Sequence, residues 1–278
     1  MRRLLPVLAV VGLLLAACGG GGPPSDSTPP DSAPSDTAPA GATAPAPAAE
    51  DLEGTLTVFA AASLTDVVGD LAVVMEQEHP RLTVRASFAG SSDLAAQVEQ
   101  GAPADVLATA DERTVQRVVD AGLAADPVAF ATNSLVVVTP PDDPGGVASF
   151  ADLARPGLAV VVCAPQVPCG AATERLEQLT GTALQPVSEA GSVTDVLGAV
   201  TSGQADAGVV YATDARRAGD DVRTVAVPEA DGAVNTYPVA VLEDAAAPAA
   251  ARAFVDLLTG PEGREVLAQA GFGAPDGS

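Results

Sequence analysis

Two stretches of this 278-residue chain put a serine where a strand-like run gives way to helical spacing: Ala60-Ala61-Ala62-Ser63-Leu64 and Phe88-Ala89-Gly90-Ser91-Ser92. Each offers a hydroxyl beside backbone N–H groups that the first turn of a helix leaves without intrahelical partners. The helix dipole favours negative charge at that end, so the pattern is that of an anion cradle. The second half repeats the theme at two helix starts, Val167-Pro168-Cys169-Gly170 and Ser192-Val193-Thr194-Asp195-Val196, and Gly208-Val209-Val210-Tyr211 ends a strand with a phenol. Any one such serine is accounted for as an N-cap. Their recurrence in both halves, each after small residues that permit close approach, points to capture of a small anion in a cleft.

Several chemistries are excluded or disfavoured by what the chain lacks. All 13 basic residues are arginine, so there is no P-loop lysine, Schiff-base lysine or Ser-Lys dyad. His79 is the only histidine and precedes Pro80 at a helix end, which argues against a histidine-rich zinc site. A serine hydrolase is the rival from another class, but there is no GxSxG turn and His79 falls at the far end of the first helix from Ser63. A structural or adhesive lipoprotein is a third reading, disfavoured by the paired helix starts. Cys163 and Cys169 lie six apart, and in an exported chain a disulfide is the expected state. A redox or metal-binding thiol pair is the alternative, without a CxxC motif to support it.

The N-terminus reads as processing signal and tether. Arg2 and Arg3 precede an apolar run from Leu4 to Leu15, too short to span a bilayer of roughly 30 Å, and Leu15-Ala16-Ala17-Cys18 places small residues before a cysteine. This resembles the lipobox of bacterial lipoproteins, which implies cleavage and lipidation at Cys18, with residues 1–18 as signal peptide. Residues 19–53 are rich in Gly, Pro, Ser, Thr and Ala and are expected to form a disordered linker. The net charge is −23, and residues 1–53 hold only six of the 36 acidic residues, so the remainder is itself strongly acidic. Such a field disfavours nucleic acid and anionic membrane surfaces as partners.

From Gly54 the hydrophobic pattern alternates between period two and period 3.6. Strands are expected over Thr55–Ala61, Leu82–Phe88 and Asp105–Thr109, with intervening helices that begin after Ser63, at Ser91 or Ser92, and at Asp111. A second block brings strands at Ser134–Thr139, Leu158–Cys163 and Ala205–Tyr211 and helices at Ala171–Thr180 and Val193–Ser202. A late strand, Tyr237–Leu242, is followed by two helices, the last opened by Pro261. The fold class is therefore α/β with two lobes, each a mostly parallel sheet flanked by helices: 54–133, 134–234, and a return of 235–278 to the first lobe. Chain crossings near Asn133–Ser134 and Asn235–Thr236 are the expected hinge.

The runs TLTVFAAASLTDV, SFAGSSDLAAQVEQGAPADVLATAD, NSLVVV, VPCG, GVVYATDA, YPVAV and GPEGREVLAQAGF resemble the molybdate-binding proteins of bacterial ABC importers across residues 54–278. The resemblance implies a type II periplasmic-binding fold that closes over molybdate or tungstate and delivers it to the permease and ATPase subunits of an importer. It implies a monomer outside the cytoplasm, lipid-anchored to the cell membrane, with no enzymatic activity, no cofactor and no metal other than that of the oxyanion. It places the oxyanion contacts on the hydroxyls of Ser63, Ser91 and Tyr211 and on the backbone N–H groups of Cys169 and Val196. A donor-only site suits an unprotonated tetrahedral dianion. It disfavours hydrogenphosphate, whose proton wants an acceptor, by roughly 1–3 kcal/mol; sulfate or another oxyanion is the alternative ligand.

Overall fold

The computed structural model describes residues 51–275. The expected signal peptide, the lipidated Cys18 and nearly all of the linker lie outside the described residues. Leu52 is already buried and the first strand begins at Glu53, so the ordered chain takes in the last residue assigned to the linker.

Two five-stranded sheets repeat one topology. The first has the order β2-β1-β3-β10-β4, built from β1 (Glu53–Ala61), β2 (Arg81–Ala89), β3 (Val106–Ala108), β4 (Val128–Asn133) and β10 (Asn235–Val241). The second, β7-β6-β8-β5-β9, comprises β5 (Leu135–Thr139), β6 (Val160–Cys163), β7 (Ser188–Ala190), β8 (Ala207–Tyr211) and β9 (Arg223–Val225). In each sheet β10 or β5 alone runs against the other strands, so both are mostly parallel, as the alternating pattern implied. The reversed strand is the one that follows a crossing between the lobes. The repeat reaches individual residues: Asp105 before β3 accepts the Thr57 N–H at 2.7 Å, and Asp206 before β8 accepts the Ala159 N–H at 2.8 Å.

Packing follows the strand period. Leu56, Val58 and Ala60 of β1 face one way, toward α1 (Thr65–Glu78), α7 (Pro248–Thr259) and α8 (Pro261–Ala270), whereas Phe59 joins the cluster under α2 (Ser91–Glu99) and α3 (Glu112–Asp120). Helix α7 turns Ala250, Ala251, Phe254 and Leu258 inward at helical spacing. Each buried Leu or Phe of this kind contributes roughly 1.5–3 kcal/mol. Around the second sheet lie α4 (Pro168–Thr180), α5 (Val193–Thr201) and α6 (Ala212–Ala218).

Helix starts and stops obey local chemistry. Asp111 caps α3 by accepting the Thr114 N–H at 2.9 Å, and Ser192 caps α5 through the Asp195 N–H. Prolines at N1 open α4, α7 and α8. For α4 this moves the helix start from the expected Ala171 back to Pro168, so Cys169 sits in the first turn and not in a preceding loop. The strands that patterning missed include β7 and β9, edge strands of three residues with too few alternations to register.

The lobes meet closely. Gln166 O accepts from Ser92 Oγ at 2.8 Å and from the Arg113 guanidinium at 3.2 Å, joining the second lobe to the first. Gly90 has an ordinary φ of −58°, yet a Cβ there would fall far inside contact distance of the Gly191 carbonyl. Glycine is required there by close approach between lobes, not by backbone conformation. Gly90→Ala is expected to fold but to close incompletely. Overpacking of ~1–3 kcal/mol corresponds to about one to two decades of ligand affinity. Small-angle scattering with and without ligand checks this, and full compaction with unchanged affinity would refute it.

Candidate functional site

Where strands of both sheets end, the starts of four helical segments converge on one small cavity. Ala62 and Ser63 lie in a 3₁₀ turn that leads into α1; Gly90 and Ser91 open α2; Val167 to Cys169 open α4; Ser192 and Val193 open α5. Tyr211, at the end of β8, completes the wall. The cavity measures about 20 Å³, where ~10–15 Å³ on the same measure holds one water. That is room for one small solute, not for a sugar, peptide or nucleotide. No charged side chain lines it. Its polarity comes from hydroxyls and from helix-start N–H groups that have no intrahelical acceptor.

Unlike Ser192, Ser63 and Ser91 do not cap their helices. Ser91 is buried, and its Oγ accepts the Ala110 N–H at 3.0 Å. A backbone N–H can only donate, so the Ser91 hydroxyl hydrogen stays uncommitted. Half-buried Ser63 shares a 3.0 Å hydrogen bond with the hydroxyl of Tyr237. The buried Asn133 carboxamide reaches that hydroxyl at 3.4 Å and donates to Thr213 Oγ1 at 2.8 Å. Burial pushes the Tyr211 phenol well above its usual range, with Tyr237 and the carboxylates of Asp111 and Asp214 adding to the shift. Burial likewise raises Tyr237. Both phenols are therefore neutral hydrogen-bond donors at any physiological pH.

Of the residues singled out in the sequence, Ser63, Ser91, Cys169 and Tyr211 line one cavity. Val196 does not. Its N–H is directed to Ser192 O at 3.3 Å within the first turn of α5, and its fully buried side chain packs against Gly208 in the core. The cavity-lining residue of that helix is Val193 at N1, where an N–H has no intrahelical acceptor. The correction follows from helix geometry: a residue four positions past the N-cap already bonds back to it. His79 ends α1 as its C-cap and Ser63 pairs with Tyr237, so among the described residues no serine–histidine pair forms. Sequence reasoning also passed over Tyr237, Asn133 and Asn235 as site residues. The available signal was that the chain has only two tyrosines and that an asparagine stands at each crossing between the lobes.

Cys163 at the end of β6 and Cys169 form a disulfide with Cα atoms 5.7 Å apart. The bond fastens the first turn of α4, and hence the Cys169 N–H, to the strand beneath it. Substituting both cysteines by alanine is expected to lower stability by ~2 kcal/mol and to weaken anion binding. Loss of stability with unchanged affinity would show that the brace does not set the position of this N–H.

Asp214, in the first turn of α6, carries the one buried side-chain oxygen without a hydrogen-bond partner among the described residues. Burial lifts its carboxyl to about 7, against the pull of Arg217, which bonds the other oxygen at 3.2 Å. The folded pKa is above the unfolded value, so the folded state holds more protons through the interval between them and stability falls as pH rises from about 4 to about 7. Asp214→Asn is expected to flatten this slope and to stabilise the protein above pH 7 by something on the order of a few kcal/mol. Thermal melts at acidic and alkaline pH test it; an unchanged slope would contradict the assignment.

Residues 56–273 match the family of bacterial extracellular solute-binding proteins. The chain is similar to a protein of Mycobacterium tuberculosis named molybdate-binding protein ModA, at 46% identity over 98% of this chain and 97% of that one. It is also similar to the protein of that name from Escherichia coli, at 37% identity over 79% of this chain and 89% of that one. Among solved structures, the periplasmic molybdate-binding protein of Azotobacter vinelandii shares the fold, with a TM-score of 0.70 at 22% identity, covering 80% of this chain and all of that one. No helix among the described residues is long and apolar enough to cross a membrane. The two repeated sheets, the crossings at Asn133 and Asn235, and the cavity between helix starts are thus those of a binder, and the chain belongs to the bacterial extracellular solute-binding protein family.

Proposed function

We propose that this protein binds molybdate, and tungstate by the same chemistry, outside the cytoplasm and delivers it to an ABC importer. The observation that carries the reading is the small, uncharged cavity lined by hydroxyl-bearing residues and by residues at helix starts. An unprotonated tetrahedral dianion satisfies such donors without leaving a proton unmatched. Relatives named as molybdate-binding proteins at 46% and 37% identity support the same ligand. Ser63, Ser91, Tyr211 and the N–H groups of Cys169 and Val193 would hold the anion. A monomer tethered through lipid on Cys18 would remain close to its transporter while the lobes open and close. The cycle is binding and hinge closure, with no bond broken.

Calorimetry with molybdate, tungstate, sulfate and hydrogenphosphate is the decisive measurement. Molybdate and tungstate should bind and hydrogenphosphate should not; tighter binding of sulfate than of molybdate would shift the reading to sulfate. Ser91→Ala should weaken molybdate binding by roughly 10- to 100-fold, as expected for loss of one buried donor. Because the protein carries a net charge of −23, its on-rate for the anion should not fall as salt rises.

A further inference from the structure

The polar groups around the cavity lead back to one side chain. Asn235, the first residue of β10, is buried. Its Oδ1 accepts from the Arg175 guanidinium of α4 at 2.6 Å. A guanidinium has no acceptor, so this bond fixes which end of the carboxamide is oxygen. Nδ2 then faces Ala110 O at 2.7 Å and the Tyr211 hydroxyl oxygen at 2.7 Å, with Pro168 O at 3.3 Å. An amide nitrogen cannot accept, so Tyr211 must be the acceptor in this pair, and its own hydrogen is directed away from Asn235, to the cavity or to the neighbouring Tyr237 hydroxyl. Ala110, whose carbonyl Asn235 holds, is also the residue whose N–H occupies a Ser91 lone pair. Pro168 directly precedes Cys169 in the first turn of α4.

We propose that Asn235 is the positioning residue that makes this site donor-only: it commits a Tyr211 lone pair directly and, through the Ala110 carbonyl, anchors the residue whose N–H commits one of Ser91, so that both present hydrogens to the ligand. Asn235 belongs to the first sheet, whereas Tyr211, Pro168 and Arg175 belong to the second lobe. The bonds to Tyr211, Pro168 and Arg175 therefore cross between the lobes, and the orientation of the Tyr211 hydroxyl depends on both. Discrimination between a bare dianion and one that carries a proton then depends on a residue outside the cavity wall. Without the Asn235 amide, the Tyr211 hydroxyl is free to rotate and accept the proton of hydrogenphosphate.

This inference rests on the molybdate reading, and one experiment separates the two. Affinities for molybdate and hydrogenphosphate are measured by calorimetry for the wild type, Asn235→Leu, Tyr211→Phe and the double variant, with thermal melts to establish folding. Asn235→Ser replaces Asn235→Leu if the latter does not fold. The Asn235 variant should lower the molybdate-to-hydrogenphosphate affinity ratio by roughly 10- to 100-fold, the value of one buried hydrogen bond. In the Tyr211→Phe background most of that effect should vanish, because the hydroxyl it acts on is gone. Equal weakening of both anions, or an undiminished effect in the Tyr211→Phe background, would overturn the positioning role and leave the molybdate reading intact. Failure of the wild type to bind molybdate would overturn both.

Discussion

The proposed site has to hold an anion out of water without a countercharge. Burying an ion costs several kcal/mol unless hydrogen bonds replace its hydration, and no charged side chain lines the cavity. The compensation has to come from neutral donors that are fixed in place before the ligand arrives. Helix starts supply them, because their N–H groups lack intrahelical acceptors and the dipole adds partial positive charge. This explains why strand ends of both sheets deliver helix starts to the same point, and why the wall around them is alanine, glycine, valine and proline. A long or charged residue would hold the chain segments apart or alter the balance of donors.

The same requirement accounts for the polar groups just behind the wall. A hydroxyl both donates and accepts, so a site that must only donate needs each hydroxyl oxygen occupied from behind. Ala110 N–H does this for Ser91, and the Asn235 carboxamide does it for Tyr211. Tyr237 and Asn133 stand in the corresponding place behind Ser63. Asn133 and Asn235 face each other across β4 and β10 in the strand register, at the two crossings between the lobes. Chain reversal between lobes and control of hydrogen-bond polarity are therefore assigned to the same pair of residues.

The architecture was largely legible in the pattern of residues. Alternating runs such as Leu56, Val58, Ala60 and the helical spacing of Val67, Val68, Leu71 and Met75 follow from which faces must leave water. The strand at 237–242 after a long second block announced the chain's return, and β10 does pair with β3 and β4 of the first sheet. Internal repetition was harder to see, because the lobes share topology and a few residues such as Asp105 and Asp206 but no extended similarity. Packing constrains the sheet order far more tightly than the identity of each side chain.

The sequence by itself determined the α/β class, the two crossings, the helix starts rich in donors and the pairing of Cys163 with Cys169, because each is set by local pattern or by residue type. It could not decide which donor of a helix start faces the cavity. Val193 and Val196 lie in the same turn of α5, and only the path of the helix shows that Val196 N–H is turned to Ser192 while Val193 lines the cavity. Nor could it give the direction of a hydroxyl, since that depends on neighbours up to 174 residues away, as for Ser63 and Tyr237. Local structure is written in short-range spacing. The sign of each hydrogen bond at the site is decided by groups distant in the chain, which meet within the first lobe for Ser63 and Ser91 and across the two lobes for Tyr211.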